Sequence, residues 1–194
     1  IKMKPGQKFR NALKNNKPLI IPGTINAYSA KLAELANHNS IYLSGSGVAA
    51  ASYGLPDLGV TTLENVLIDA KRITSATSLP LLVDIDTGWG DFDAISNTII
   101  EMGNANVAAV HIEDQIFDKR CGHRPNKQLV SIDEMQDRLK AALDAKIDDS
   151  FFIMARTDAL ASEGIEKAIE RCGKYLDVGA DGIFFEAAVS IEEY

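Results

Sequence analysis

The nine residues at 119–127, KRCGHRPNK, place one thiol and one imidazole among four cationic side chains. Neighbouring positive charge favours the thiolate form of a cysteine and so makes Cys121 a candidate reactive group. Gly122 and Pro125 predict a shaped loop here, not a helix or strand. A solvated basic loop with an incidental cysteine is the alternative, so the interpretation depends on which other polar residues accompany the segment.

Asp84 and Asp86 are two positions apart in an apolar segment that predicts a strand, so both side chains should point to the same side. Two unpaired carboxylates inside a parallel sheet protein would be very costly. A hard divalent cation such as Mg²⁺ removes that cost because it prefers oxygen ligands. Capping of the next helix, or pairing with arginines, is the alternative role for these aspartates.

Three further candidates follow other predicted strands. Glu113 is in phase with His111, and it suits either a metal site, directly or through water, or an ion pair with Lys119 or Arg156. Arg156 offers a forked donor for a carboxylate or a developing oxyanion. The SGSG segment at 44–47 supplies closely spaced backbone N–H groups, which can form a nest for an anion.

Short apolar segments alternate with helical patterns along the whole chain. Strands are predicted at 18–25, 40–45, 79–86, 107–114, 151–157 and 182–187, and helices at 29–37, 62–75, 92–103, 132–145 and 163–178. Thr61 with Glu64, and Ser131 with Glu134, have the spacing of capping boxes. This alternation predicts an α/β protein with a parallel sheet covered by helices, in one domain over 1–194.

A doubly wound sheet and a (β/α)8 barrel both fit that alternation. The PGTI segment at 22–25 lacks the glycine fingerprint expected after the first strand of a Rossmann fold. A TIM-type barrel instead places polar chemistry at the carboxyl end of strand after strand, which is the pattern seen here. Because six of eight β/α units are visible, we expect these 194 residues to form an incomplete, open barrel. The first residue is Ile1 and not methionine, so we also expect further residues before it.

Composition limits the partners of the protein. The 194 residues carry a formal net charge of −7 and are 46% hydrophobic, which disfavours a nucleic-acid surface. No apolar segment approaches the ~18 residues needed to span a membrane, and no secretory signal is visible, so we expect a cytoplasmic protein. Two cysteines do not form a disulfide framework. Cys172 lies on a predicted helical stripe with Ile165, Ala168, Ile169 and Leu176 and is interpreted as a buried apolar side chain.

Five segments together resemble the isocitrate lyase/phosphoenolpyruvate mutase superfamily over essentially the whole chain. They are YLSGSGVAAASYGLPDLG at 42–59, LLVDIDTGWG at 81–90, HIEDQ at 111–115, KRCGHRPNK at 119–127 and IMARTDA at 153–159. The Lys-Arg-Cys-Gly-His core is typical of the branch that cleaves carbon–carbon bonds and is lacking in the phosphonomutase branch. The extension through Lys127 most resembles the enzymes that cleave 2-methylisocitrate.

The resemblance implies a (β/α)8 barrel, usually a homotetramer, that cleaves the tricarboxylate 2-methylisocitrate to pyruvate and succinate in propionate catabolism. It implies that Mg²⁺ is the cofactor, with Mn²⁺ as a possible substitute. It also implies that cleavage proceeds by retro-aldol (reverse Claisen) chemistry in which Cys121 is the general acid. The implied metal residues are Asp84, Asp86 and Glu113. The implied substrate-binding residues are Ser44, Gly45, Ser46, Asp57, Gly122, Arg156 and Glu186. The implied catalytic residues are Cys121, Tyr42, Arg156, Lys119 and His123, with Tyr42 or a group relayed through Arg156 as the base.

Three positions depart from the family pattern and border the implied pocket: Ser46 for glycine, Trp89 for Phe or Tyr, and Phe185 for proline. Phe184, Phe185 and Trp89 are predicted to line space for the methyl group. An oxaloacetate hydrolase, a dimethylmalate lyase or an isocitrate lyase of the same superfamily is the alternative function. A non-catalytic metabolite-binding scaffold is the alternative from another class, which retention of the carboxylates and of Cys121 disfavours.

Overall fold

Five short parallel strands form the centre of the computed structural model, which describes residues 3–194. The strands are β1 (Ile41–Leu43), β2 (Leu81–Asp84), β3 (Ala109–Glu113), β4 (Phe152–Thr157) and β5 (Gly182–Phe185). They are hydrogen-bonded in chain order, β1-β2-β3-β4-β5, and every pair is parallel. Sequential parallel strands of this kind require crossover connections, which helices supply. The predicted α/β class is therefore confirmed, and within residues 3–194 the sheet stays open, as expected.

Eight α-helices accompany the sheet. They are α1 (Pro5–Asn15), α2 (Ala27–Leu35), α3 (Gly45–Tyr53), α4 (Leu63–Ala76), α5 (Phe92–Asn104), α6 (Ile132–Asp144), α7 (Leu160–Glu163) and α8 (Ile165–Asp177). The sequence patterns predicted α2, α4, α5, α6 and α8 but missed α1, α3 and α7. None of the described helices is both long and apolar enough to cross a membrane.

The predicted strand at 18–25 is wrong. Only Gly23 forms a bridge, to Tyr42 of β1, through Thr24 N–H donating to the Tyr42 carbonyl and Tyr42 N–H donating to the Pro22 carbonyl. Pro18 and Pro22 have no N–H to donate, so a longer ladder cannot form along this segment. The described residues therefore form five strands instead of six, and the first predicted strand is reduced to one bridge.

Alternation along the strands separates two cores. The larger core lies between the sheet and the helices and includes Leu81, Val83 and Ile85. The smaller core lies on the inside of the sheet and includes Leu82 and Ala109. The inside face is apolar at the amino ends of the strands. It is polar at their carboxyl ends, where the next inward residues are charged or ionisable. This division places the polar groups in one layer above an apolar floor.

Helix α1 closes the amino end of the sheet. The Phe9 ring packs edge-on against Phe152, with ring centroids 5.2 Å apart. Arg10 donates to the Ser150 carbonyl at 2.9 Å and pairs with Asp181 at 2.7 Å. Gly6 lies directly against the Ser150 carbonyl, with no room for a Cβ atom. The helix is thus fixed to the amino ends of β4 and β5 by an ion pair, aromatic packing and one close backbone approach.

Two smaller sequence interpretations are corrected. The capping box of α4 begins at Thr62 with Asn65, one residue after the predicted Thr61 pair, whereas Ser131 caps α6 by accepting from Glu134 N–H as predicted. Of the stripe assigned to Cys172, only Ala168 belongs to the buried face of α8. That face consists of Ala168, Arg171 and Tyr175, while Ile165, Ile169 and Leu176 are exposed and Cys172 is half-buried.

The inward face of α8 is polar because Asp114 must be satisfied there. Its buried carboxylate accepts from the Thr157 hydroxyl, the Asp158 N–H and the Tyr175 hydroxyl, and lies 3.5 Å from Arg171. Buried carboxylates are tolerated only when such partners are present. Asp114 alternates with Glu113 and so points away from the inside of the sheet, where these contacts give it a structural role.

We expect Gly6→Ala to lower the free energy of unfolding by about 1–3 kcal/mol, because the new methyl group must displace α1 from the Ser150 carbonyl. Gly173→Ala is the matched control, since Gly173 is exposed within α8 and no described atom lies near its missing Cβ. That change should stabilise the protein by up to about 1 kcal/mol through helix propensity. Urea unfolding of both variants decides it, and equal effects would contradict the assigned role of Gly6.

Candidate active site

Strand register brings the polar residues of three neighbouring strands together at one end of the sheet. Asp84 on β2 lies beside His111 on β3, and Glu113 on β3 lies beside Arg156 on β4. Arg156 in turn pairs in register with Phe184 on β5. These residues stand at the carboxyl ends of parallel strands, where active sites of barrel enzymes are found. The convergence predicted from the sequence is therefore observed.

Asp84, Asp86 and Glu113 form a buried acidic triad, with one carboxylate oxygen of each within 4.8 Å of the others. Strand β2 ends at Asp84, so alternation alone does not bring Asp86 to the same side. Asp86 instead has a left-handed backbone, with φ of 47°, and its N–H donates to the Asp84 carboxylate at 3.1 Å. This conformation is uncommon for a residue other than glycine and often marks functional sites.

The triad has the donors that a hard cation requires. Among the described residues, both Glu113 carboxylate oxygens and Asp86 Oδ1 are buried without a hydrogen-bond partner. Asp86 Oδ1 lies 2.6 Å from Lys119 Nζ, but as an ion pair and not with hydrogen-bond geometry. Unsatisfied buried carboxylate oxygens are costly, and oxygen-rich sites of this kind suit Mg²⁺. The triad can therefore hold a divalent metal ion.

Burial and charge set the ionisation of the triad. Burial, with nearby carboxylates, raises the pKa of Glu113 well above its usual range and that of Asp86 to about 6. Burial also raises the pKa of Asp84, but opposite charges outweigh it and hold that pKa below its ordinary value. Since burial lowers the pKa of His111 to about 4, the charges that act on Asp84 at neutral pH are Arg156 and Lys119.

Lys119 links the triad to the chain that follows α3. Its ammonium lies 2.6 Å from Asp86 Oδ1 and donates to Asp57 Oδ1, also at 2.6 Å. The side chain is almost fully buried, yet the surrounding carboxylates raise the pKa of Lys119 above its usual value. Lys119 is therefore charged, and it stabilises two carboxylates that would otherwise repel each other.

Arg156 is the second cation of the site and is also buried. Its guanidinium forms two hydrogen bonds with Asp158, at 3.0 and 3.2 Å, and lies 3.4 Å from Glu113 and 3.7 Å from Glu186. The Phe184 ring lies 5.6 Å from the Arg156 guanidinium carbon and 4.5 Å from the His111 ring. The Glu113–Arg156 ion pair considered from the sequence is present, alongside the metal-type geometry.

The 119–127 segment is a loop, as predicted, and it covers the Arg156–Glu186 pair. Gly122 is buried so closely against Glu186 and Arg156 that a Cβ atom would collide with both side chains. Cys121 beside it is half-buried, and His123 is exposed with Nδ1 3.3 Å from Glu186 Oε1. The loop thus places the thiol and the imidazole at the open side of the charged cluster.

Tyr42 extends from β1 into the same layer. Its hydroxyl lies 2.9 Å from His111 Nε2, and the two rings stack with centroids 5.7 Å apart. Burial, reinforced by the Asp84 carboxylate, raises the pKa of Tyr42 far above that of a free phenol. Tyr42 is therefore a neutral hydrogen-bonding group at neutral pH, which argues against its use as a general base.

The segment at 44–47 is the start of a helix and not a free anion nest. Ser44 is the N-cap of α3, and its hydroxyl accepts from Gly47 N–H at 3.3 Å. Gly45 N–H donates to the Asp84 carboxylate at 3.1 Å, and a Cβ at Gly45 would press against Asp84 and Asp86. The segment therefore contacts the acidic triad directly, with two of its N–H groups already used.

Two predictions about pocket-lining aromatic residues need correction. The Trp89 indole N–H donates to the Thr61 carbonyl at 2.9 Å, and the ring packs against the helix-side core. Phe185 alternates with Phe184 and so shares the side of Ile183, which also packs on the helix-side core. Of the three aromatic residues, only Phe184 faces the polar layer.

Sequence reasoning missed four residues that organise the site: His111, Gln115, Lys127 as a buried anchor, and Asp158. All four occur in segments that were quoted for other residues, and each is buried beside a charged group or a loop carbonyl. The signal that could have identified Asp158 is its position two residues after Arg156, because a buried guanidinium needs a carboxylate partner. Nothing local to the sequence marked Lys127 as buried.

The sheet and its site define an α/β barrel enzyme fold of the PEP mutase/isocitrate lyase superfamily. A solved 2,3-dimethylmalate lyase of that superfamily superposes with a TM-score of 0.92 at 36% identity, over 99% of this chain and 65% of that one. An oxaloacetate acetylhydrolase bound to 3,3-difluorooxalacetate superposes with a TM-score of 0.93 at 37% identity, over 98% and 66%.

The chain belongs to the family described as phosphoenolpyruvate phosphomutase, whose pattern matches residues 9–193. A 2-methylisocitrate lyase of Shewanella oneidensis is 61% identical over 189 residues, which are 97% of this chain and 65% of that protein. The resemblance inferred from the sequence is thus confirmed. The chain spans a little under two thirds of the length of this relative.

We expect Asp86→Asn to weaken Mn²⁺ binding by more than about tenfold, because even partners outside the coordination shell change metal affinity by 10–100-fold. Asp118→Asn, an exposed carboxylate in the following loop, is the matched control and should bind normally. Titration calorimetry with Mn²⁺, followed by competition with Mg²⁺, measures both. Equal affinities in the two variants would exclude the acidic triad as the metal site.

Proposed function

We propose that the protein is a carbon–carbon lyase that cleaves 2-methylisocitrate to pyruvate and succinate. The observation that carries this proposal is the joint presence of the acidic triad and the Cys121 loop in one layer at the strand ends. The similarity to a curated 2-methylisocitrate lyase supports the substrate. A metal site together with a thiol beside a basic loop suits cleavage of a 2-hydroxy acid followed by protonation of the carbon that leaves.

Asp84, Asp86 and Glu113 would hold Mg²⁺, or Mn²⁺ in its place. When bound, this ion lowers the cost of forming an alkoxide at the substrate hydroxyl, because it polarises the oxygen it contacts. The residues themselves supply oxygen ligands in a buried site, and Lys119 and Arg156 limit the repulsion between them. The cluster has an excess of carboxylates over cations, so a divalent cation would improve its charge balance.

The substrate would be held between the triad and the loop. Arg156 and Glu186 meet beneath Gly122, and Ser44, Gly45 and Ser46 lie on the other side of Asp84 at the start of α3. In this arrangement the α3 segment would contact the carboxylate of the pyruvate half. Lys119, held by Asp57, and His123 would face the negative charge that develops on the succinate half.

Cys121 would donate a proton to the carbanion of the succinate half, and the thiolate that remains would be reprotonated from solvent. The half-buried thiol stands next to Gly122 on the loop, so its approach to the substrate depends on the loop conformation. Tyr42 and His111 would act as a neutral hydrogen-bonded pair that orients groups near Asp84. The proton of the substrate hydroxyl would instead pass to a carboxylate paired with Arg156, and from there to solvent.

The names of two relatives indicate alternative reactions that this fold can carry out. The solved dimethylmalate lyase and oxaloacetate acetylhydrolase share this fold at 36–37% identity, against 61% for the methylisocitrate lyase. Both alternatives use 2-oxo or 2-hydroxy acids, so the fold alone does not select between them. The higher identity favours 2-methylisocitrate. A homotetramer in the cytoplasm, which the resemblance implies, stays a prediction.

We expect a higher kcat/KM for 2-methylisocitrate than for isocitrate, by about 10- to 200-fold, because one buried methyl group can discriminate no further by packing. Phe184→Ala should reduce this ratio, since Phe184 is the aromatic side chain of β5 beside Arg156 and His111. Phe117→Ala, at an exposed position, is the control. Faster turnover of oxaloacetate or dimethylmalate would show instead that the protein catalyses the alternative reaction.

We expect Cys121→Ser to lower kcat by about 10²- to 10⁴-fold with little change in the unfolding midpoint, because a hydroxyl is a much weaker acid than a thiol. Cys172→Ser is the matched control. Burial raises the pKa of Cys172 to about 11, and its replacement should cost about 1 kcal/mol of stability without an effect on kcat. Steady-state kinetics and urea unfolding on both variants separate the roles, and the reverse pattern would refute them.

A further inference from the structure

Two buried anchors hold the backbone on either side of Cys121. On the preceding side, the Gln115 amide accepts from Arg120 N–H at 3.0 Å and donates to the Arg120 carbonyl at 2.9 Å. On the following side, the Lys127 ammonium donates to the Gly122 carbonyl at 2.6 Å. The thiol is therefore carried by a short segment of backbone that is fixed at both of its ends.

Lys127 also forms a second hydrogen bond, which limits the positions that its ammonium group can take. Its ammonium donates to Asp158 Oδ1 at 3.0 Å, and both side chains are essentially fully buried, with 1% and 0% of their surface exposed. Hydrogen bonds between buried charged groups are stronger than those between neutral groups. The chain turns into this position through Asn126, whose φ is 62°.

Asp158 connects this anchor to Arg156. The same carboxylate receives two hydrogen bonds from the Arg156 guanidinium, and its backbone N–H is fixed by Asp114. One buried carboxylate thus shares its oxygens between the arginine that faces the acidic triad and the lysine that holds the loop. A displacement of either cation alters the position of the other through Asp158.

Between Lys119 and Lys127 the loop makes two further polar contacts, His123 Nδ1 at 3.3 Å from Glu186 and the Arg124 N–H donating to the Cys121 carbonyl at 2.8 Å. Arg120, His123, Arg124, Pro125 and Asn126 are exposed, whereas Gly122 is buried against Arg156 and Glu186. The energy that keeps Gly122, and hence Cys121, over the charged cluster must come from the few buried contacts. Lys127 supplies the charged contact made directly to the Gly122 carbonyl.

We propose that Lys127 and Asp158 are positioning residues that hold the Cys121 loop over the site and fix its position relative to Arg156. The catalytic consequence rests on the lyase function proposed above, but the structural consequence does not. Loss of the Lys127 ammonium frees the Gly122 carbonyl and leaves Asp158 bound to Arg156 alone. The loop then opens more often, and Cys121 becomes more accessible while the acidic triad keeps its geometry.

The test is the rate at which iodoacetamide alkylates Cys121, followed by peptide mass spectrometry with Cys172 as an internal reference. Lys127→Met should raise the Cys121 rate by about tenfold, the effect of losing one hydrogen bond to a charged group. Arg124→Met, which removes a cation from the exposed part of the same loop, should leave the rate within about twofold. Asp158→Asn should raise it as Lys127→Met does, because the lysine loses its charged partner.

Equal rates in Lys127→Met and the unchanged protein, or an equal rise in Arg124→Met, would overturn the proposal. Circular dichroism checks that each variant is folded. If Lys127→Met is not folded, Lys127→Gln, which retains a shorter neutral donor, decides the question with an expected smaller rise in the same direction. Mn²⁺ affinity should stay unchanged in Lys127→Met, which separates the anchor from the metal site.

Kinetics with 2-methylisocitrate then distinguish this proposal from the lyase function. If the unchanged protein turns over the substrate, Lys127→Met should lower kcat more than it raises KM, because the thiol acts after binding. If the unchanged protein is inactive on this substrate, the proposed function fails, while the alkylation rates still decide whether Lys127 and Asp158 hold the loop.

Discussion

Repulsion among buried carboxylates is the constraint on which the rest of the site depends. Six carboxyl groups lie in or against the polar layer, and three buried cations face them. The acidic members are Asp57, Asp84, Asp86, Glu113, Asp158 and Glu186, and the cations are Lys119, Lys127 and Arg156. Buried charges persist only when they are paired. Lys119 and Arg156 are each shared between carboxylates, while Lys127 divides its hydrogen bonds between Asp158 and the Gly122 carbonyl.

These shared ion pairs link the charged groups of the site to the conformation of the loop. Lys119 joins the triad to the segment around Asp57, while Asp158 joins Arg156 to Lys127. The loop that carries Cys121 begins and ends in these two lysines. Charge balance in the site is thereby coupled to the conformation of the loop that supplies the thiol.

The inside face at the amino ends of the strands is apolar and contributes packing instead of charge. Apolar residues from β2, β3 and β4 pack against Phe9 of α1 and form an apolar layer below the charged groups. Electrostatic interactions directly above such a floor are stronger than in solvent. Burial therefore raises the pKa of Glu113 and Tyr42 and lowers that of His111, and it sets which groups are charged at neutral pH.

The sequence alone was sufficient for the fold class, through strand periodicity, and for the superfamily, through its motifs. It also marked Asp84, Asp86 and Glu113 as one cluster, although Asp86 reaches that cluster through a left-handed backbone and not through strand alternation. It was not sufficient for the strand at 18–25, where two prolines limit pairing to one bridge, or for the buried face of α8, where the polar partners of Asp114 displace the apolar stripe. Lys127 and Asp158 lie 31 positions apart, and only tertiary folding places them 3.0 Å from each other. Which groups are paired depends on distances through space, and these follow from the packing of strands and loops and not from the spacing of residues along the chain.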